Sequence, residues 1–301
     1  VARYSFKIWL TASRPFSFTA SATPILLGTA LAFYQMGFVD VPLFIAALIG
    51  GVILHAGTNL ISDYFDYAKG VDREDTYGGS RILVDKVMEP KDVLRGGLVA
   101  FGIAIIIGVY LLIVRGWPIV MFGMAGLFGG YFYTGGPLGY KYRALGEFLV
   151  FTLMGPLMVW GAHFTQVGAL EWQPILISVP VGFLVAAILY ANNLRDIEDD
   201  TESGYNTQAS IAGRKTARFV YAGMLISAYV VVAALVGFGA VPVWTLLVLL
   251  SIPAALKVNK MIQSSLRTER KSFAMVDVMT AQLHFQFGLL FAIGIVLGYF
   301  I

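Results

Sequence analysis

The sequence predicts an all-α, polytopic membrane protein: nine transmembrane helices in a single domain spanning 1–301. Three observations carry that expectation. Hydrophobic residues make up 58% of the chain and charged residues only 13%, with a mean hydropathy of +0.76, whereas soluble domains are about one-quarter charged. Nine apolar stretches approach or exceed the length needed to cross a bilayer. With the N-terminus placed inside, every one of the 21 Lys and Arg residues except Arg115 falls on the inner side, as the positive-inside rule requires. A water-soluble enzyme, a disordered chain and a nucleic-acid-binding protein are excluded by the same numbers.

In chain order the expected spans are 15–36, 41–61, 93–114, 117–134, 147–168, 174–194, 217–239, 242–258 and 283–301. The first lacks a clear cleavage site and leads straight into the second, so it reads as a span and not as a signal peptide. The spans 117–134 and 242–258 are short, but deleting either spoils the charge partition. All nine runs are too long and too uniformly apolar for barrel strands, and helices satisfy their own backbone in lipid. Outer connections are short, while the inner ones at 67–92 and 197–216 are long and polar, suggesting a cytoplasmic cap over a membrane cavity. The absence of Cys excludes disulfides, thiolate metal sites and cysteine nucleophiles.

Two acidic helix ends lie on that inner side. In the first, Asn59, Asp63 and Asp66 stand at i, i+4 and i+7 and share a helical face, with Ser62 beside it and Asp72 just beyond Gly70. In the second, Asn192, Asp196 and Asp200 recur at intervals of four, and Asn193 borders the same face. Like charges held together call for a cation. Carboxylate and amide oxygens without Cys point to Mg²⁺, which keeps waters and takes phosphate oxygens, so a diphosphate is a reasonable ligand. Arg73, Arg81, Lys86, Lys91, Lys141, Arg143, Arg195, Arg214, Lys215 and Arg218 share the inner side. Many serve only topology; a few are placed to clamp a diphosphate. A transporter for an anionic metabolite fits the spans, but both clusters lie at one face and midplane charges are scarce.

The phrases Asn59-Leu60-Ile61-Ser62-Asp63-Tyr64-Phe65-Asp66 and Asp196-Ile197-Glu198-Asp199-Asp200 resemble the two Asp-rich motifs of the UbiA superfamily of intramembrane aromatic prenyltransferases. Asp63–Asp72, Gly79–Val84, Tyr133–Pro137 with Tyr142, Arg143, Gly146 and Glu147, and Asn192–Asp196 are most similar to its 1,4-dihydroxy-2-naphthoate branch, and Arg14-Pro15 also fits the family. Gly70 stands where the common motif has a further Asp, and Asp72 follows two residues later.

The resemblance implies nine helices around a central cavity, a Mg²⁺-diphosphate site and transfer of a prenyl group. The implied donor is a polyprenyl diphosphate carried in membrane lipid. The implied acceptor is 1,4-dihydroxy-2-naphthoate, which would lose CO₂ and give a demethylmenaquinone at the cell membrane. A 4-hydroxybenzoate or other acceptor is the alternative. Asp66, Asp196 and Asp200, followed by Asn59 and Asp63, are the expected metal residues. Asp72, Arg81, Lys141, Asn192 and Arg214 are expected at the donor, Arg14 or Arg143 at the acceptor carboxylate, and Tyr131, Tyr133 and Asn193 near the reacting carbon. His55 is expected either to line the cavity or to be an ordinary buried histidine. Glu147 is expected to order Arg143 or Lys141 or to cap a helix. Asp277 and the stretch 267–271 are expected to decorate the last inner loop.

Overall fold

The computed structural model describes residues 4–77, 79–266 and 270–301 and is helical throughout, with one isolated bridge between Arg143 and Asn206. A short helix α1 (Phe6–Ala12) precedes α2 (Thr19–Met36), and Arg14 turns the chain between them in a left-handed conformation, φ 55°. Then come α3 (Val41–Ala68), α4 (Pro90–Arg115) and α5 (Pro118–Tyr131). Asp40 caps α3 by accepting from the Leu43 amide at 3.2 Å, satisfying one of the orphan amides of its first turn. The next span is built from α6 (Gly146–Thr152), a π-helical turn (Leu153–Leu157) and α7 (Met158–Val167); Pro156 sits in that turn, where a missing amide widens the helix. The chain continues through α8 (Gln173–Arg195), α9 (Ile197–Glu202), α10 (Gln208–Gly237), α11 (Ile252–Ser264) and α12 (Val276–Phe300).

Among the described residues, eight helical segments are long and apolar enough to cross a membrane, and Pro118–Tyr131 is a shorter apolar helix. At 1.5 Å per residue its 14 residues reach about 21 Å, less than the hydrocarbon thickness. Eight of the nine expected spans therefore have spanning length among the described residues, and the expected fourth is a shorter apolar helix. Several boundaries differ from expectation. The second span runs on to Ala68, carrying Asn59, Asp63 and Asp66 on unbroken helix. Helix α10 starts at Gln208, where Thr207 and Ser210 form a reciprocal cap, and kinks at Gly213 (φ 71°, ψ 150°) before the seventh span continues, so most of the expected 197–216 loop is helical in short pieces. The last helix begins at Val276, which puts Asp277 on a helix and not in a loop. Of the charged stretch 267–271, residues 267–269 lie outside the described residues.

The bundle packs on an apolar core and is apolar on its outer surface. Tyr190, Tyr221, Phe287 and Phe291 anchor a core shared by α2, α8, α10 and α12, while Ile106, Ile113 and Phe219 are largely exposed, as lipid-facing residues are. Helices α3 and α4 meet through glycines. A Cβ on Gly57 would lie 3.0 Å from the Gly97 carbonyl, and one on Gly97 would lie 3.1 Å from that of Gly57. Small residues at such crossings let backbones approach where no hydrophobic drive operates between helices. The end opposite the acidic clusters is tied by polar contacts: Arg115 donates to the Thr165 and Gln166 carbonyls at 2.6 and 2.9 Å, and Gln166 accepts from the Asp40 amide at 2.9 Å.

Candidate active site

The acidic ends of α3 and α8 face one another across a segment neither belongs to. The turn 132–145 drops between them, and its Lys141 ammonium donates to Asp66 at 2.8 Å while Tyr142 donates to the other oxygen at 2.5 Å. Ser62, one turn earlier on α3, donates to Asp66 at 3.1 Å. Asp63 takes a different set: the Arg14 guanidinium, the Ser80 hydroxyl and, at 3.2 Å, the Ser80 amide. Asp72 tucks against Gly79, whose Cβ, if it had one, would lie 2.5 Å from the carboxylate; Gly79 also holds φ at 71°. Both facts require glycine there.

The second cluster is arranged otherwise. Helix α8 ends at Arg195, and Asp196 is the junction residue, φ −100°, ψ 15°, before α9 restarts the helix. The expected four-residue steps persist in the backbone across this junction: the Asp196 amide bonds the Asn192 carbonyl at 3.1 Å and the Asp200 amide bonds the Asp196 carbonyl at 2.9 Å. Arg195 bonds both oxygens of its neighbour Asp196 at 2.9 and 2.7 Å and reaches Asp277 of α12 at 2.9 Å. Asp277, expected to be a loop residue, is buried, because an Arg buried beside it needs a second countercharge. Asp200 accepts from Thr207 at 3.3 Å; among the described residues no cation makes an ion pair with it.

Loop contacts close the cap. Arg73 donates to Ser203 at 2.8 Å, the Tyr142 and Tyr205 rings lie 4.4 Å apart, and Lys69 donates to the Thr134 carbonyl at 2.6 Å. The electrostatics of this arrangement are incompletely balanced. Burial, then Asp66, pushes the Asp72 carboxyl up to about 6, with Lys141 and Arg14 opposing. Burial, then Asp196 and Asp199, pushes Asp200 up to about 7 against the pull of Lys141. Burial pulls the Lys141 ammonium down, but Asp66 and its other anionic neighbours outweigh it and hold the group above the ordinary lysine range.

The donor set fits a hard divalent cation. It consists of carboxylate oxygens without thiolate. Two of its carboxyls are pushed up first by burial and then by neighbouring carboxylates, and a bound cation would favour their charged forms. No three His, Asp or Glu side chains converge on one point among the described residues, since Arg14, Lys141 and Arg195 occupy the inner oxygens. Mg²⁺ needs only one or two carboxylates when phosphate oxygens complete its shell.

Below the mouth lies a cavity of about 530 Å³. Its polar end is lined by Arg14, Asn59, Ser62, Tyr133, Lys141 and Asn192, and its body by apolar residues such as Leu54, Leu153, Met158 and Leu189. The α3 residues on its wall run from Ala47 to Ser62, about 22 Å at the helical rise.

Other expected site residues lie elsewhere. Arg81 turns into its own loop, donating to the Thr76 carbonyl at 2.7 Å and to Asp85 at 3.0 Å. Arg214 pairs with Glu198 and donates to the Leu194 carbonyl at 2.9 Å. Arg143 donates to the Pro137 carbonyl at 2.9 Å. Tyr131 packs edge-on against Phe65 and Phe132. Asn193 turns away from the cavity and donates to Glu147 at 2.8 Å, so Glu147 is a buried partner of α8 and makes no ion pair with Arg143 or Lys141. Sequence reasoning passed over Ser80 and Tyr142 as site residues, although both stand in the phrases that carry the family resemblance.

Residues 21–285 match the model of the UbiA prenyltransferase family. The 1,4-dihydroxy-2-naphthoate octaprenyltransferase of Bacillus subtilis (strain 168) is 37% identical over 288 residues, covering 96% of this chain and 92% of that protein. The human UbiA prenyltransferase domain-containing protein 1 is 33% identical, covering 96% and 83%. Two solved structures share the fold. A UbiA homolog from Archaeoglobus fulgidus bound to GPP and Mg²⁺ has a TM-score of 0.66 at 15% identity, covering 94% of this chain and 99% of that one. The apo form of a UbiA homolog from Aeropyrum pernix K1 has a TM-score of 0.65 at 16% identity, covering 93% and 97%.

Proposed function

The chain belongs to the UbiA prenyltransferase family, and we propose that it transfers a polyprenyl group from polyprenyl diphosphate to 1,4-dihydroxy-2-naphthoate with loss of CO₂. One observation carries the reading: two carboxylate clusters face each other around Lys141 at the polar mouth of a long apolar cavity. A diphosphate at that mouth leaves its prenyl chain among aliphatic side chains. The naphthoate acceptor is supported by the 37% identical relative, which bears that name.

Asp66, Asp72, Asp196 and Asp200 are the residues to hold Mg²⁺, with Asp63 and Asn59 behind them. Bound there, the ion supplies Lewis-acid stabilisation of charge on the departing diphosphate. Lys141 adds a fixed positive charge at the same place, preorganised by Asp66 and Tyr142. The apolar wall excludes water from the allylic carbon as its C–O bond breaks. The Tyr133 ring, on the cavity wall, offers an aromatic face to positive charge at that carbon. The acceptor ring carbon forms the new C–C bond, and the carboxylate it bore leaves as CO₂, its bonding pair restoring the aromatic ring.

Of the two arginines considered for the acceptor carboxylate, Arg14 lines the cavity and Arg143 is turned to Pro137; the reading assigns the role to Arg14. The active-site mouth is taken as cytoplasmic and the C-terminus as outside, from the charge partition. The test crosses purified protein with 1,4-dihydroxy-2-naphthoate, 4-hydroxybenzoate and donors of several lengths, reading product masses. A decarboxylated prenyl-naphthalenediol is expected. Product that keeps its carboxylate, or turnover of 4-hydroxybenzoate alone, overturns the assignment.

A further inference from the structure

The polar face of α3 continues below the donor site. His55, Asn59, Ser62 and Asp66 stand at i, i+4, i+7 and i+11, and the first three line the cavity. Farther from the mouth the α3 residues on the cavity wall are Leu54, Gly51, Gly50 and Ala47. The stripe therefore ends at His55, one turn or about 6 Å below Asn59, at a depth where a polar group needs a partner.

The partners of His55 are unequal. Ser21 of α2 lies 2.9 Å from Nδ1, whereas Ser17 lies 3.4 Å from Nε2. The Ser17 hydroxyl donates to the Arg14 carbonyl at 2.8 Å and accepts from Asn59 Nδ2 at 2.9 Å. Its proton is committed, so towards Nε2 it offers only a lone pair at long range. A tie between α2 and α3 would need no more than the Ser21 bond. One ring nitrogen is anchored, and the other is loosely held on the cavity wall.

We propose that His55 is the subsite for a ring hydroxyl of the aromatic acceptor, with Ser21 fixing the imidazole and Nε2 accepting the hydroxyl proton in a hydrogen bond. The proposal rests on the prenyl-transfer reading above. With the acceptor carboxylate on Arg14, the ring lies along the stripe and the hydroxyl remote from the carboxylate reaches Nε2. That bond leaves the ring more electron-rich for its attack on the prenyl carbon. No proton is transferred to His55 in the net reaction, because CO₂ leaves in place of a ring proton.

The experiment compares binding of 1,4-dihydroxy-2-naphthoate and 1-hydroxy-2-naphthoate to the purified full chain, with donor affinity measured in parallel as the check on folding. Wild type should prefer the dihydroxy acid by about tenfold, one buried hydrogen bond. His55→Leu should abolish the preference by weakening only the dihydroxy acid, His55→Gln should retain part of it, and donor affinity should stay within about twofold. Equal weakening of both acids, or no effect on either, overturns the subsite. Binding with the expected preference but without prenylated naphthalene product keeps the subsite and defeats the proposed reaction. Failure of wild type to bind either acid overturns both.

Discussion

The first acidic cluster draws its partners from across the bundle, while the second relies mostly on its own neighbours. Asp63 and Asp66 are held by Arg14, Lys141, Tyr142 and Ser80, which come from three separate connections. Asp196 is held by the adjacent Arg195 and Asp200 by Thr207, seven residues on, with Asp277 the one distant member. The difference is also one of charge. Asp66 has an ion-pair partner, whereas Asp200 is buried without one among the described residues and its carboxyl is pushed up to about 7. The first cluster thus organises the fold around itself, and the second is the side where negative charge still awaits compensation.

The sharpest way to break this comparison is to neutralise one carboxylate on each side. Asp66→Asn should lower kcat/KM by roughly a hundredfold to a thousandfold, the scale of losing one preorganised charge contact. It should also destabilise the protein by about 3–5 kcal/mol, because Lys141 is left buried and unpaired. Adding Lys141→Met should recover much of the thermal stability and none of the turnover. Thermal unfolding and steady-state kinetics on the same samples check both arms. Asp200→Asn should be the mirror case: turnover falls about a hundredfold, while the melting temperature holds or rises. If the two single variants lose stability equally, the asymmetry is wrong.

A second test is by pH. Asp200 and Asp72 hold protons more tightly in the folded chain than in the unfolded one, with folded values of about 7 and about 6 against 3.8. Their contribution to stability is therefore present below about pH 4 and is lost as pH rises through 6 to 7. A divalent cation must displace those protons. Mg²⁺ affinity should accordingly tighten between pH 5.5 and 7.5, by at most about tenfold per unit for each proton released. Titration calorimetry at several pH values reads this directly. In Asp200→Asn the part of the slope near pH 7 should vanish while the part near pH 6 remains.

The smallest effects belong to the arginines. Arg14→Gln should raise the acceptor KM about tenfold and leave the donor KM within about threefold, since Arg14 both pairs with Asp63 and faces the cavity. Arg143→Gln should change either constant by less than about twofold. Equal effects of the two substitutions would remove the distinction drawn between them.

What the sequence disclosed follows from what is local. Helix α3 is unbroken to Ala68, so helical spacing correctly placed Asn59 and Asp66 on one face. In the second cluster the four-residue backbone bonds persist, but α8 gives way to α9 at Asp196, a junction that no Gly or Pro announces. The partners were harder still. Arg14 is 49 residues from Asp63 and Lys141 is 75 from Asp66, and no short pattern encodes which distant cation a buried carboxylate will find. Asp277 looked like loop decoration because a hydropathy reading starts the last helix after its polar first turns. His55 is legible as a residue but not as a site, since Ser21, which gives it an orientation, lies on another helix.

The buried pairing of Arg195 with Asp277 sets an order on biosynthesis. Helix α8 leaves the ribosome some 80 residues ahead of α12 (the two side chains are 82 positions apart), so Arg195 must wait for its second countercharge. Until α12 is in place, Arg195 has Asp196 but not Asp277 as its countercharge. The three-residue charge cluster Asp196–Arg195–Asp277 is therefore completed only with the last helix of the chain.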